Sequence, residues 1–367
     1  MTMIREHFMK GINLGGWFAQ ADCLGDSSPR NRVEMETHLQ TYITEYDIRQ
    51  IREWGYDHIR LPFDYRLVEQ EKDSLASYDM FIHHLDQCVE WCRVNNMGIV
   101  LDLHQAAGNV YGMTKKPMPL LTDEDLENRF INIWIKLTEH FKKVSEPIII
   151  FELLNEVSDS TGFLWNRLYL KTIGKIREVD PSRYILVGSN EQNSAFRLKE
   201  LDLLEDPKVI YNFHFYDPLM FTHQKAHFSE DMLLYNKNIS YPGEITGFPE
   251  YLEQHREYVT KFAHVVMENK VNKESMEKLL AGALNFVKYS GKELYCGEFG
   301  VIDTVKSQDA VGWMKDLVSI LNENGIGHAM WNYKEMDFGL VKLNGEIRDE
   351  KRLNMIRLVL QDKGEDA

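Results

Sequence analysis

Residues 148–156 read IIIFELLNE, and the amphipathic stretch Trp165–Glu178 follows them. A short run of β-branched and aromatic residues predicts a strand, Ile148–Leu154. Apolar positions at helical spacing predict a helix after it. Between the two stand Asn155 and Glu156, polar groups placed where the strand ends.

The same unit recurs along the chain. Strands are expected at Phe8–Leu14, His58–Phe63, Ile99–His104, Ile148–Leu154, Tyr184–Gly188, Val209–Tyr216, Leu294–Phe299 and His328–Tyr333. The helices between them include Glu45–Trp54, Ile82–Asn95, Asp125–Phe141, Trp165–Glu178, Lys273–Tyr289, Asp309–Glu323 and Glu350–Leu360. Eight β-then-α units in series imply a parallel sheet with right-handed crossovers. Closed on itself, that sheet is an α/β fold, the (β/α)8 or TIM barrel. The alternative is an open doubly wound sheet, but Gly11-Ile12-Asn13-Leu14-Gly15-Gly16 lacks the GxGxxG spacing of such folds. A chain of 367 residues fits a single barrel domain spanning 1–367. One connection is long: about 77 residues separate Tyr216 from Leu294, where loops have a median of about 4–6. Part of it is the helix from Lys273. The rest, Asp217–Asn272, is expected to form an inserted subdomain after strand six, rich in aromatics and histidines such as Phe221, His223, His227, Phe228, Tyr235 and Tyr241.

Composition narrows the partners. The net charge is -15, and an acidic surface repels phosphate backbones, which argues against nucleic acid. The four cysteines, Cys23, Cys88, Cys92 and Cys296, form no CxxC, so free thiols are expected. No stretch is long and apolar enough to span a membrane. No apolar leader precedes the first strand in MTMIREHFMKGINLGG, which implies a cytoplasmic protein unless a leader has been removed. A monomer is expected, and the tail Lys363–Ala367 is expected to fray.

In barrels of this kind chemistry sits at the C-terminal ends of the strands. Those ends here carry Arg60, His104, Asn155 with Glu156, His214 with Tyr216, Glu298, and Trp331. Burying so many unpaired polar groups on one rim would cost several kcal/mol each without a function to hold them. Two carboxylates on strands four and seven face each other across the barrel. Glycosidic cleavage needs such a pair, one acid on the leaving oxygen and one carboxylate across the ring. Arg60 and Tyr216 suit an ionised nucleophile, which assigns that role to Glu298. Glu156 is then the acid/base, with its proton affinity raised. Asn155 suits the sugar 2-hydroxyl. Trp331 suits stacking on a sugar face, whereas Trp17 fits a subsite wall or plain packing equally. Trp54, Trp91, Trp134 and Trp313 fall in helices and are expected in the core. Glu152 lies four residues before Glu156, roughly 13 Å deeper at about 3.3 Å per residue, and is expected to be paired inside the barrel. No metal or other cofactor is expected. His104 and His214 lack HxH or HExxH spacing, Asn13-Leu14-Gly15 stands where barrel metallohydrolases carry HxH, and His223 and His227 are expected to be solvated or packed.

Together these strand ends resemble glycoside hydrolase family 5, whose pattern is an arginine after strand two, a histidine after strand three, Asn-Glu, His-x-Tyr, Glu and Trp. Arg60, His104, Asn155-Glu156, His214 with Tyr216, Glu298 and Trp331 match it in order. GINLGGW, HIRLPFDY, FELLN, YNFHFYDPLMFTHQKAH and YCGEFGV are most similar to clostridial-type endoglucanases. The resemblance implies a retaining enzyme acting on β-1,4- or mixed-linkage β-glucan, with Arg60, His104, Asn155, His214, Tyr216 and Trp331 binding substrate. GINLGGW also resembles exo-β-1,3-glucanases of the family. An exo-β-1,3-glucanase, a β-glucosidase and a β-mannanase would use the same machinery. A non-catalytic glycan-binding barrel would have no need of both glutamates.

Overall fold

The computed structural model describes residues 2–19, 32–69, 76–110, 117–145, 148–262 and 269–361. Eight parallel strands close into a barrel in chain order: β1 (Lys10–Asn13), β2 (His58–Asp64), β3 (Gly98–Gln105), β4 (Ile149–Glu152), β5 (Tyr184–Gly188), β6 (Val209–Phe215), β7 (Leu294–Phe299) and β8 (Gly327–Met330). β8 returns to pair with β1 through Lys10↔His328, Gly11↔Ala329 and Ile12↔Met330.

Four strands are shorter than expected, β6 only by Tyr216. β4 stops at Glu152 and β8 at Met330, so the residues that follow are already rim. β1 starts at Lys10, because Phe8 turns down to plug the barrel. The helix Glu45–Trp54 has the expected bounds. Thr44 and Asp47 form a capping box at its start, and Gly55 ends it at φ 108°, where a side chain would be strained. The helix expected at Lys273–Tyr289 is two, Lys273–Leu279 and Ala281–Ser290. In the second, Gly282 closes on the Ala195 carbonyl, where a Cβ would stand at 2.3 Å.

Side chains alternate across a strand with period two, and the inward ones form layers. At the base Val100, Ile150, Leu186, Ile210, Tyr295 and Ala329 pack together, capped by Ile4 and Phe8. Two residues further along lie Asp102, Glu152 and Asn212, and the next step reaches the rim at His104 and His214. The ladder keeps this phase: Val100 pairs with Ile150, and Asp102 with Glu152. A dry floor therefore lies beneath a charged layer, which supports the rim.

The connection 217–272 is described apart from residues 263–268. It carries short helices at Leu219–Thr222, Glu230–Tyr235 and Phe248–Gln254, and an antiparallel pairing of Gly243–Glu244 with Lys270–Val271. Tyr235, Phe248, Tyr251 and Phe262 gather into one aromatic cluster. Tyr241 ties the segment to the barrel helix Ser307–Glu323 by donating to Asp316 Oδ2 at 2.6 Å. Cys88, Cys92 and Cys296 are free and buried. Cys23 and the tail Lys363–Ala367 lie outside the described residues. Among the described residues no helix is long and apolar enough to cross a membrane.

The floor layer makes a prediction. Phe8 is fully buried, with its ring 4.9 Å from that of His58 and its tip filling the space where a Cβ on Gly98 would sit. Phe8→Ala is expected to lower the unfolding free energy by about 3–5 kcal/mol, read from the urea midpoint. A loss below about 1 kcal/mol would show that the plug does not seal the base.

Candidate active site

Arg60, on β2, is fully buried and occupies the centre of the charged layer. Its Nε donates to Glu152 Oε2 at 2.6 Å, and Nη2 donates to Glu152 Oε1 and to Asn155 Oδ1, each at 2.9 Å. Nη1 donates to Asn13 Oδ1 at 2.9 Å and to Glu298 Oε1 at 2.7 Å. A guanidinium has five N–H donors, and these five bonds use them all. Asp102 Oδ2 lies 3.0 Å from Nη2 and receives attraction without a proton. One cation thus serves three carboxylates, from β3, β4 and β7.

Glu298 reaches this position through a bulge. Along β7 the register advances by two where β6 advances by one, from Phe213↔Cys296 to His214↔Glu298. Against β8 it advances by three where β8 advances by two. The extra residue re-aims the side chain inward, a common use of bulges beside active sites. Gly297 permits it: a Cβ there would meet the Asn212 amide at 2.8 Å. The Asn212 side chain in turn accepts from Gly297 N and donates to Glu152 Oε1, both at 2.8 Å. β3 has a similar irregularity at His104, between Phe63↔Leu103 and Asp64↔Gln105.

Across the cleft Glu156 sits at φ 46°, a left-handed conformation uncommon outside glycine and often found where a site imposes it. His214 stands between the two glutamates. Its Nδ1 is 3.1 Å from Glu156 Oε1 and 3.7 Å from Glu298 Oε2. Tyr216 donates its hydroxyl to Glu298 Oε2 at 3.0 Å. One oxygen each of Glu156 and Glu298, together with a His214 nitrogen, lie within 4.8 Å of one another.

Burial and charge separate the groups. The Glu156 side chain is 33% exposed, yet desolvation raises its carboxyl pKa against the pull of His104 and Arg60. Burial, reinforced by the Glu298 carboxylate, pushes the Tyr216 phenol far up, so it remains a donor. Burial pushes His214 down to about 4, which keeps the ring neutral. Burial opposes the charge on Arg60, but Asp102, Glu152 and Glu298 outweigh it and hold the guanidinium protonated. Asp102 is pushed up to about 7 by burial, with Arg60 opposing and Glu156 adding to the rise. Its Oδ1 is buried with no hydrogen-bond partner among the described residues.

The sequence-expected residues converge on this cleft. Asn155 gives its Oδ1 to Arg60, which leaves its amide N–H2 for a ligand. His104 donates through Nδ1 to Asp102 at 2.8 Å and stacks on Trp331, centroids 5.7 Å apart and planes 8° apart. Trp331 is 8% exposed and covers Gly15, where a Cβ would stand 2.4 Å from the indole. His214 differs from expectation, since protein groups engage both of its ring nitrogens. Glu152 is paired with Arg60, but the depth expected for it does not hold. β4 ends at Glu152, so extended-strand spacing stops there, and its carboxylate is one guanidinium away from Glu298. Trp17 is fully buried, donates to Leu39 O and stacks on Phe18, so it packs the core. His223 packs against Tyr216 and Phe338, and His227 pairs with Asp337 at the surface. Sequence reading gave no role in the site to Asn13, Asp102 and Asn212. Their signal was the period-two pattern, which puts each in the inward phase of its strand.

Among the described residues, Glu156, His214 and Glu298 are the group close enough to share a metal ion. Their surroundings favour another use. Arg60 and Tyr216 already supply Glu298 with a cation and a proton donor. Glu156 has a raised proton affinity, whereas Glu298 accepts from a guanidinium and a phenol, so the two carboxyl groups differ in their surroundings.

Comparison with known proteins agrees with this chemistry. The family described as Cellulase (glycosyl hydrolase family 5) matches residues 24–337. Endoglucanase C of Acetivibrio thermocellus is 39% identical over 350 residues, covering 95% of this chain and 98% of that protein. Cellodextrinase A of Ruminococcus flavefaciens is 33% identical over 320 residues, covering 87% of this chain and 83% of its own. In fold, the chain is similar to Thermotoga maritima Cel5A solved with cellobiose, with a TM-score of 0.72 at 19% identity, covering 97% of this chain and 98% of that one.

Asp102 provides a pH test. An unfolded aspartate titrates near 3.9, and the folded one near 7. A raised folded pKa means the native state binds the proton more tightly. The associated stability is present below about pH 4 and is lost as pH rises to about 7. Asp102→Asn removes this dependence. Its unfolding free energy relative to the native protein is expected to climb between about pH 4 and about pH 7, then level off. A difference that falls over that range would contradict the assignment.

Proposed function

The chain belongs to the cellulase family, glycosyl hydrolase family 5, and from that premise we propose that it is a retaining endo-β-1,4-glucanase acting on cellulose-type or mixed-linkage β-glucan. The observation that carries this reading is the approach of Glu156 and Glu298 to within 4.8 Å, oxygen to oxygen. Retaining pairs stand about 5–5.5 Å apart, whereas inverting pairs need about 6.5–9.5 Å to admit a water.

In this reading Glu298 attacks the anomeric carbon while Glu156 protonates the departing glycosidic oxygen. A covalent glycosyl-enzyme forms on Glu298. Glu156, now a carboxylate, takes a proton from water as the water oxygen bonds to the anomeric carbon and the bond to Glu298 breaks, which releases the sugar with its configuration kept. Arg60 and Tyr216 hold Glu298 oriented. The Asn155 amide meets the 2-hydroxyl, where bonds strengthen as oxocarbenium character grows. Trp331, braced by His104, offers its face to the ring. The segment 217–272 acts as an inserted subdomain bounding one side of the cleft, and the enzyme works as a monomer. The support for a β-1,4-glucan is the likeness to Endoglucanase C and Cellodextrinase A over most of their lengths.

Glu298→Gln is expected to reduce turnover of an aryl β-cellobioside by at least about a thousandfold; near-native turnover would rule out the nucleophile. A 2-fluoro glycoside should label the peptide carrying Glu298, and labelling elsewhere would reassign the role. With cellohexaose, mixed-linkage glucan, laminarin and mannan compared side by side, the first two should be cleaved internally and fastest. Preferred release of glucose from laminarin ends would favour an exo-β-1,3-glucanase instead.

A further inference from the structure

The turn that leaves β5 is built from backbone that most residues avoid. Glu191, Gln192 and Asn193 follow one another at φ 49°, 61° and 54°, where Cβ crowds the carbonyl oxygen. Such runs persist only when the surroundings enforce them, and they point toward function. Here the enforcement is visible. Gln192 N donates to Val157 O at 3.0 Å. The Asn190 amide donates to Asp159 O at 2.7 Å and to Glu200 Oε2 at 2.8 Å. The Ser189 hydroxyl closes the turn on Ser194 O at 2.8 Å. Val157 and Asp159 belong to the loop that leaves Glu156, so the turn is clamped to the acid's own support. Gly188 makes room for it, because a Cβ there would lie 2.5 Å from Asn193 Oδ1.

What the turn delivers into the barrel is the Asn193 side chain. It is fully buried, and its Nδ2 lies 3.0 Å from His214 Nε2. The other ring nitrogen faces the oxygens of Glu156 and Glu298. An amide N–H2 only donates, so Nε2 accepts from Asn193 and the proton of a neutral ring sits on Nδ1. Burial keeps the ring neutral against the pull of Glu298 on β7 and Glu152 on β4, with Arg60 on β2 and His104 on β3 opposing a charge. A neutral ring protonated on Nδ1 has a lone pair on Nε2, and an amide N–H2 is its complement.

We propose that Asn193 is a positioning residue for hydrolysis: by donating to His214 Nε2 it fixes the Nδ1–H tautomer and prevents His214 from becoming a cation beside Glu156. The inference rests on the acid/base role given to Glu156 above. A cation 3.1 Å away would draw the proton off the acid before it is needed. A neutral N–H leaves the proton on Glu156 and then steadies the carboxylate once the proton has gone.

Two variants test this in the whole enzyme labelled with ¹⁵N-histidine. Asn193→Gly removes the amide and keeps a residue suited to positive φ. Asn193→Asp replaces the donor by a charged acceptor. In the native protein His214 should show a neutral Nδ1–H ring, and Asn193→Gly should show mixed tautomers. Its kcat should fall roughly tenfold with KM changed less than about twofold. In Asn193→Asp the ring should be doubly protonated at neutral pH, and the alkaline limb of kcat/KM should move down by about half a pH unit or more. His214 spectra unchanged in both variants would overturn the proposal. If the spectra change but the limb stays, Glu156→Ala decides. Should that variant spare substrates with good leaving groups, Glu156 is the acid and the proposal for Asn193 fails. Should it harm all substrates equally, the acid/base reading is what fails.

Discussion

The site depends on the distribution of one buried guanidinium. Arg60 spends its five donors on Asn13, Glu152, Asn155 and Glu298, and has none left for Asp102. Each partner comes from a different part of the barrel: β1, β4, the loop after it, and β7. Removing one member of a buried pair costs about 3–5 kcal/mol, because the other charge is left uncompensated. Arg60 is therefore a structural joint between strands as much as a member of the candidate site. Glu298 is oriented by the same bonds that hold the barrel interior together.

The surplus of carboxylates follows from that distribution. Three largely buried carboxylates share one cation. Glu298 receives a hydrogen bond from Arg60 and another from Tyr216. Asp102 receives attraction without a donor from Arg60, and its titration is displaced toward neutrality. Glu156 lies at the open edge without a hydrogen bond from Arg60, and desolvation raises its proton affinity against the pull of His104 and Arg60. Two glutamates on one rim thus acquire different surroundings from position alone. The neutral His214 between them touches both without adding charge.

Much of this was legible in the sequence. Eight strand–helix units were evident because parallel strands are short apolar runs separated by long amphipathic helices. Arg60, Glu156, Tyr216, Glu298 and Trp331 stood out because ionisable and aromatic groups ended those runs. The rest needed coordinates for identifiable reasons. Gly297 inside a strand is a bulge signal, but only the register shows that the bulge turns Glu298 inward. Asp102 was visible in LDLH, yet its lack of a donor appears only once the bonds of Arg60 are counted. The left-handed turn Glu191–Gln192–Asn193 has no glycine at its three positions, so nothing in its composition announced it. Phe8 looked like the start of a strand because an apolar residue before GINLGG fits a strand as well as a plug.

The account turns on Glu156 and Glu298 acting as a retaining pair. The most direct measurement is the anomeric configuration of the product at the moment of cleavage, followed by ¹H NMR on cellohexaose before mutarotation intervenes. The account predicts that the β-anomer appears first and the α-anomer grows in slowly. An α-anomer present at the earliest times would mean inversion, and the close approach of the two glutamates would then have to serve another chemistry.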